Sequence, residues 1–275
     1  MSSTTDWNSF GRVNASQRWR AQSAAMGSGM TEAIVAAANV KNGQRVLDIA
    51  CGTGEPAISI ATLLQANGEV VGVDISPAPL EIARQRAQHR NLRNVQFEQC
   101  DAHRLSFPDN SFDRVTSRLG IMFFEDLSNA LREMHRVLKP GGRVALLAWG
   151  VMGQPYFSST IGTLLRLFPG SDMPAAARKM FAFGQPGLLA GKLRAAGFSA
   201  VEEKFLTVPW TWPGTPEEVW EYFKEVTIPF APLIKSVPPE RQAEVDNAVA
   251  AAISQYAQGS EVKFTAKVNI TTAEK

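Results

Sequence analysis

Three aspartates, Asp48, Asp74 and Asp101, each stand within or at the end of an extended run, and two glycines, Gly52 and Gly54, follow the first of them. Carboxylates accept hydrogen bonds and favour cations, whereas glycine lets the backbone turn sharply and lets a ligand approach where a Cβ would collide. The stretch Val46-Leu47-Asp48-Ile49-Ala50-Cys51-Gly52-Thr53-Gly54 therefore reads as a strand ending in a ligand seat. Asp74 closes a second run, Glu69-Val70-Val71-Gly72-Val73, about 20 residues past that turn, the separation at which a strand-end carboxylate accepts bonds from ribose hydroxyls. Ala57 occupies the place of the third glycine in a dinucleotide fingerprint, and Glu55-Pro56 opens the next helix with a negative charge where a phosphate would sit. Asp48 is likewise a poor neighbour for a diphosphate and a good one for an ammonium or sulfonium. The pattern favours a positively charged nucleoside. Glu55 and Asp48 also read as a helix-dipole partner and a turn organiser.

Other side chains that could do chemistry are few. His103, beside Asp101, and Tyr156, after the fifth strand, are the candidates for removing or orienting a proton, although a lone loop histidine is usually just solvated. Arg118, at the end of the fourth strand, reads as a structural cation paired with Asp48 or Glu133. Cys51 and Cys100 lack metal-ligand spacing, so no metal site is expected. A net charge of +2 is nearly balanced, and only Arg84, Arg86, Arg90 and Arg93 group on one probable helix, so no nucleic-acid partner is expected. Aromatic residues in the segments able to cover the carboxyl edge imply an apolar acceptor pocket, with Trp7, Trp19, Phe123 and Tyr156 as its expected lining.

The positioning elements follow from periodicity. Extended runs near 45–49, 69–73, 94–98, 112–117 and 143–149 alternate with helical stretches, which predicts a parallel sheet covered on both faces. Helices precede the sheet from Trp7 to Val40, and Lys139-Pro140-Gly141-Gly142 should stop a helix over Leu131 to Leu138. Later come helices at Leu188 to Ala196, Glu217 to Val226 and Glu240 to Tyr256, with alternating strands at Val201 to Val208 and Val262 to Ile270. The expected fold is a Rossmann-like α/β domain over 1–275, with a mostly parallel seven-stranded sheet and an antiparallel last strand. Within it, 1–42 would form an N-terminal helical cap, 43–149 the cofactor-binding core, 150–184 and 210–260 cap insertions, and 185–209 with 261–275 the final helix and strands. With 45% apolar residues and no membrane-length apolar run, the chain is expected to be cytoplasmic, since Met1-Ser2-Ser3-Thr4-Thr5-Asp6 lacks the basic-then-apolar order of a secretory signal.

Five ordered motifs then carry a resemblance: Val46 to Gly54, Gly72-Val73-Asp74-Ile75-Ser76, Cys100-Asp101-Ala102, Phe107 to Asp113, and Arg136 to Gly142. Over Gln44 to Trp149 the chain resembles class I S-adenosylmethionine-dependent methyltransferases, in the broad type 11 small-molecule group that includes the ubiquinone/menaquinone-biosynthesis type. The resemblance implies S-adenosylmethionine as cofactor. It places the methionine portion against the Ala50 to Gly54 turn, beside the cation-favouring Asp48, the ribose on Asp74, the adenine face on Ile75 and its edge on Asp101 and the Ala102 amide, with Arg118 as a cofactor contact beneath. It implies in-line methyl transfer to a small, largely apolar acceptor, for which a dedicated base is optional. A cofactor-binding module without turnover would carry the same turn and carboxylates, and either a monomer or a homodimer fits. The amino-terminal Phe-Asp-x-x-Ala-x-x-Tyr-Asp pattern of the quinone enzymes is replaced here by Trp7-Asn8-Ser9-Phe10-Gly11-Arg12-Val13, so the acceptor's identity does not carry over.

Overall fold

The computed structural model describes residues 10–275. Three helices, α1 (Phe10–Arg18), α2 (Arg20–Met26) and α3 (Ser28–Ala38), lead into the sheet. Strands β1 (Arg45–Ile49), β2 (Glu69–Asp74), β3 (Val95–Gln99), β4 (Phe112–Arg118) and β5 (Leu138–Trp149) follow, with helices α4 (Ala57–Leu64), α5 (Pro77–His89) and α6 (Leu127–Val137) as crossovers. After β5 come short helices α7 (Pro155–Ser159), α8 (Ile161–Leu167) and α9 (Ala175–Met180), then α10 (Leu188–Ala195) and β6 (Ser199–Pro213). Helices α11 (Pro216–Val226), α12 (Ala231–Lys235) and α13 (Gln242–Ser254) precede β7 (Ala257–Gln258) and β8 (Glu261–Glu274).

The strands are ordered β3-β2-β1-β4-β5-β8-β6. β1 to β5 pair in parallel, and β8 runs antiparallel between β5 and β6. The central strands can be parallel because helices cover both faces, and accordingly every residue of β1 but the first is buried. The order reverses between β1 and β4. In an open α/β sheet the crevice outside the carboxyl ends at that reversal receives the ligand, so the topology points to the loops after β1, β2 and β4.

Local chemistry explains the element boundaries and corrects several expectations. α6 starts at Leu127 rather than Leu131 because the Asp126 carboxylate accepts the Asn129 amide at 2.9 Å and caps it. It ends at Val137, ahead of Pro140, and Gly141 takes the left-handed turn at φ +72°. α11 is fixed by a capping box between Thr215 and Glu218, with Pro216 in its first turn. β6 and β8 extend beyond their expected ends because they pair from Ser199↔Glu274 to Pro213↔Glu261. Trp210 and Trp212 therefore stand on a strand of the sheet, opposite Phe264 and Val262, and not in a cap insertion. α13 is shorter than expected, and the residues after it form β7, an eighth short strand that hairpins onto β8. No described helix is long and apolar enough to cross a membrane.

Candidate active site

The turn after β1 carries three positive φ angles, Ala50 at +56°, Gly52 at +53° and Gly54 at +106°. The two glycines serve different ends. A Cβ on Gly54 would lie 2.6 Å from the Ile58 side chain and 3.2 Å from Ala83, so this glycine lets α4 and α5 close on the turn. A Cβ on Gly52 would meet nothing within 4 Å, which leaves its backbone facing open space. Asp74, at the end of β2, pins this arrangement: one oxygen accepts the Gly52 amide and the other the Ser76 amide, both at 2.9 Å. Next to it, Ile75 is 58% exposed and leaves an apolar face open at the carboxyl edge.

Asp48 corrects an expectation. It is fully enclosed, its carboxylate accepting the Thr116 hydroxyl at 2.8 Å and the Ala57 amide at 3.1 Å. It thus ties β1 to β4 and to the start of α4, and it supports the turn from behind instead of presenting oxygens to a ligand. Burial pushes its pKa up to about 7 against those two hydrogen bonds and the nearby Arg118 charge. Glu55 is turned away as well. Its oxygens lie 2.8 Å from Arg86 Nη2 and 2.6 Å from Ser59 Oγ, and Arg86 also donates to the Thr53 carbonyl. The sequence left Glu55 open between ligand contact and a helix-dipole role, and with its charge paired to Arg86 and Ser59 at the start of α4 it is a structural group, not a bare repellent for phosphate.

After β3, Asp101 accepts both the amide and Nδ1 of His103, at 2.9 and 2.6 Å, and these bonds hold its carboxyl below the usual range although partial burial pushes the other way. His103 Nε2 accepts the Asp126 amide at 3.2 Å and its carbonyl accepts Asn129 Nδ2. Both ring nitrogens are therefore engaged, Nδ1 as donor and Nε2 as acceptor, and the histidine fastens this loop to α6 where a general base was expected. Ala102 is buried beside it.

Arg118 ends β4 deep in the protein. Its Nη1 donates to the Gly27 carbonyl at 3.2 Å and to Thr31 Oγ1 at 2.9 Å, binding β4 to the junction of α2 and α3. Burial lowers its pKa, against the charges of Glu55 and Asp48. Its Nε is buried without a hydrogen-bond partner among the described residues, as are Ser76 Oγ and Ser117 Oγ, which also sit at carboxyl ends of strands. Leu119 follows at φ +62°, a rare backbone state for a leucine and one that concentrates at functional sites.

The expected pocket lining divides. Tyr156 lies in an aromatic core with Phe157, Trp210, Phe223 and Phe264, all with ring centroids within 6.0 Å of it. Burial drives its phenol well above the ordinary value, against a hydrogen bond with Thr227, and the ring is committed to packing where a proton acceptor was expected. Trp19 is buried against Trp212 at 5.4 Å and donates Nε1 to Glu225 at 2.6 Å, which makes it a clip between the N-terminal helices and α11. Phe123 is half-buried in the turn after β4. Trp7 lies outside the described residues. Among those residues no group of three or more His, Cys, Asp or Glu could hold a metal.

Sequence reasoning missed Thr116, Thr31 and Glu225 and saw Arg86 only as one of a helix's arginines, although all four partner the singled-out residues. No motif marks them, because each is defined by a neighbour 31 to 206 residues away in the chain. Arg136 was visible only as part of a motif, and Glu133 only as a possible partner of Arg118, whereas it pairs with Arg136. Together they hold the loop after β3: Glu133 accepts the Leu105 amide, and Arg136 donates to the Leu105 and Phe107 carbonyls.

Known proteins share these sequence motifs and this fold. A family model described as a methyltransferase domain matches residues 40–154, the span that carries the turn, the three aspartates and Arg118. The ubiquinone/menaquinone biosynthesis C-methyltransferase UbiE of Ectopseudomonas mendocina is 41% identical over 140 residues, 50% of this chain and 53% of that protein. The chain thus spans about half the length of this relative. The demethylmenaquinone methyltransferase of Deinococcus radiodurans is 37% identical over 184 residues, 62% of this chain and 74% of that one. The crystal structure of the YcgJ protein from Bacillus subtilis superposes with a TM-score of 0.58 at 23% identity, over 89% of this chain and 97% of its own, and shows the same fold. With the motifs, the strand order and these relatives in agreement, the chain belongs to the class I S-adenosylmethionine-dependent methyltransferases.

Proposed function

We propose that the protein transfers the methyl group of S-adenosylmethionine to a nucleophilic atom of a small, largely apolar acceptor bound at the carboxyl edge of the sheet. The observation that carries this reading is the cradle at the strand-order reversal, where the open backbone at Gly52, the Asp74 carboxylate and the exposed Ile75 side chain adjoin. These groups suit the nucleoside. Gly52 leaves the room a Cβ would fill, Asp74 is an acceptor for ribose hydroxyls, and Ile75 offers an apolar face to adenine, with Asp101 and the Ala102 backbone at its edge. The unused Nε–H of buried Arg118 is a donor that a carboxylate would satisfy. Ala50 and Gly54 shape the turn, and Asp48 holds it in place.

S-adenosylmethionine bound here supplies a methyl group already activated by its sulfonium. What remains for the chain is positioning. Asp74 and the turn fix the donor, the aromatic cap excludes water, and the acceptor atom must lie in line at about 3 Å from the methyl carbon. A dedicated base is optional, consistent with His103 and Tyr156 both being committed to structural contacts.

The two relatives described above are named for quinone-pathway methylation, and a demethylated quinol therefore heads the acceptor panel. Incubation with methyl-labelled S-adenosylmethionine and quinols, phenols, amines and thiols should yield a labelled product extractable into organic solvent from at least one class. Tight cofactor binding with no product from any class would overturn turnover and leave a binding module.

A further inference from the structure

The arginine grouping noticed in the sequence is not absorbed by the site. In the structure it divides: Arg84 turns to Glu81 and the Phe97 carbonyl, whereas Arg86 and Arg90 line the same cleft as Arg20 from α2. Arg20, Ala21 and Ala24 on one side and Arg86, His89 and Arg90 on the other line a cleft of about 210 Å³. The guanidiniums of Arg20 and Arg90 have no hydrogen-bond or ion-pair partner among the described residues, and both residues are exposed. Arg86 is nearly buried and meets one carboxylate, Glu55, 2.8 Å away. His89 Nδ1 faces the Gln85 carbonyl at 2.7 Å.

Arg20 and Arg90 bring two unpaired positive charges to one cleft beside Arg86, whose own charge Glu55 pairs, and holding this like charge together costs free energy that an anion would recover. Two alanines on the α2 side leave the space open where longer side chains would fill it. From this geometry we infer that the cleft between α2 and α5 binds a phosphate dianion, free or as a soluble monoester, held by Arg20, Arg90 and the outer face of Arg86. Arg86 also donates to the Thr53 carbonyl and pairs with Glu55, both in or next to the glycine turn. An anion drawing on Arg86 loosens that hold, so phosphate and cofactor should oppose each other, and by linkage each weakens the other by the same factor. This coupling rests on the cofactor reading, whereas the binding does not.

The test is calorimetric titration of the full chain with inorganic phosphate, the ionic strength held constant with chloride. Saturable binding is expected, weakened about fivefold by Arg20→Gln or Arg90→Gln and lost in the double variant, whose thermal midpoint should match the parent because neither side chain holds a partner. Saturating phosphate should weaken S-adenosylhomocysteine binding several-fold in the parent and leave it unchanged in the double variant. Absence of saturable phosphate binding, or binding that survives in the double variant, overturns the site. Phosphate binding without effect on S-adenosylhomocysteine overturns the coupling alone, and failure of S-adenosylhomocysteine to bind at all overturns the cofactor reading instead. Phosphatidylcholine vesicles carrying phosphatidic acid give the second arm: capture by these without binding of inorganic phosphate overturns a soluble ligand.

Discussion

The carboxyl edge around β1 to β4 and the aromatic cap that packs beside it are held together by different physics. At the edge, individual carboxylate oxygens are matched to individual donors: Asp74 to the Gly52 and Ser76 amides, Asp48 to Thr116 and the Ala57 amide, Asp101 to His103. In the cap, rings lean on rings, with Tyr156, Phe157, Phe223 and Phe230 linked by centroid separations of 5.1 to 6.5 Å. A directional bond to a backbone amide admits few side chains, whereas a packed apolar volume admits several of similar size. Substitutions at the edge should therefore change what the protein binds, and substitutions in the cap should change how stable it is.

The largest effect is expected at Asp74. Its replacement by alanine removes the acceptor for two amides and, on the proposed reading, for the ribose. Charge-assisted hydrogen bonds contribute about 1.5–3 kcal/mol each, so S-adenosylhomocysteine affinity should fall roughly a hundredfold by calorimetry. Unchanged affinity would place the nucleoside elsewhere and dissolve the contrast between edge and cap.

Asp48→Asn sharpens the comparison from within the edge, because Asp48 is a fastener there. Its folded pKa of about 7 lies above the ordinary 3.8, so the folded state keeps a proton that the unfolded chain has released. Stability from this proton is full below about pH 3.8 and is lost as pH rises through 7, where the buried carboxyl must ionise. Asparagine cannot ionise. Relative to the parent, Asp48→Asn should therefore gain on the order of a few kcal/mol between pH 4 and pH 8, and any cost of realigning the Thr116 bond, being the same at both pH values, leaves that change untouched. Chemical denaturation across that range measures it, and cofactor affinity should change less than about threefold. A fall comparable to that of Asp74→Ala would make Asp48 a direct ligand.

The same contrast governs what could be read from the sequence. Gly52 and Gly54 are legible because both hold positive φ angles and Gly54 also leaves no room for a Cβ, and Asp74 because its distance from the turn is set by one crossover helix. The strand alternation likewise gave the sheet, since burial on both faces leaves a continuous apolar run. The cap was not legible in this way. Tyr156 and Trp19 carry polar groups in an aromatic setting, which on sequence alone looks the same whether the setting is a pocket or a core. Only the Trp19 bond to Glu225, across 206 residues, and the rings around Tyr156 decide it. His103 failed for a related reason: its Nε2 is occupied by the amide of Asp126, which no local pattern announces.

Two cap predictions follow in decreasing size. Glu225→Ala removes the acceptor for Trp19 Nε1 and one ion pair with Arg18. Because the Arg18 guanidinium is 56% exposed, that pair contributes little, and the cost of about 1.5 kcal/mol comes mainly from the unsatisfied indole N–H. A lowered thermal midpoint with retained cofactor affinity is the expected outcome.

Tyr156→Phe should do least. The ring and its contacts with Trp210, Phe223 and Phe264 stay, and only the hydroxyl bond with Thr227 is lost. One neutral hydrogen bond contributes about 1 kcal/mol, and here the loss leaves the Thr227 hydroxyl, on a half-buried residue, able to turn to another acceptor or to water. Stability should drop by less than about 1 kcal/mol, and kcat on whichever acceptor the panel identifies should stay within about twofold of the parent. The pH profile separates the two roles more sharply than the rate does. A phenol acting as base would give a rising limb that phenylalanine abolishes, whereas a phenol buried in the ring cluster leaves the profile of both proteins superimposable. A kcat loss of about a hundredfold with the limb removed would put Tyr156 among the reacting atoms and move the boundary between edge and cap by a whole layer of aromatic side chains.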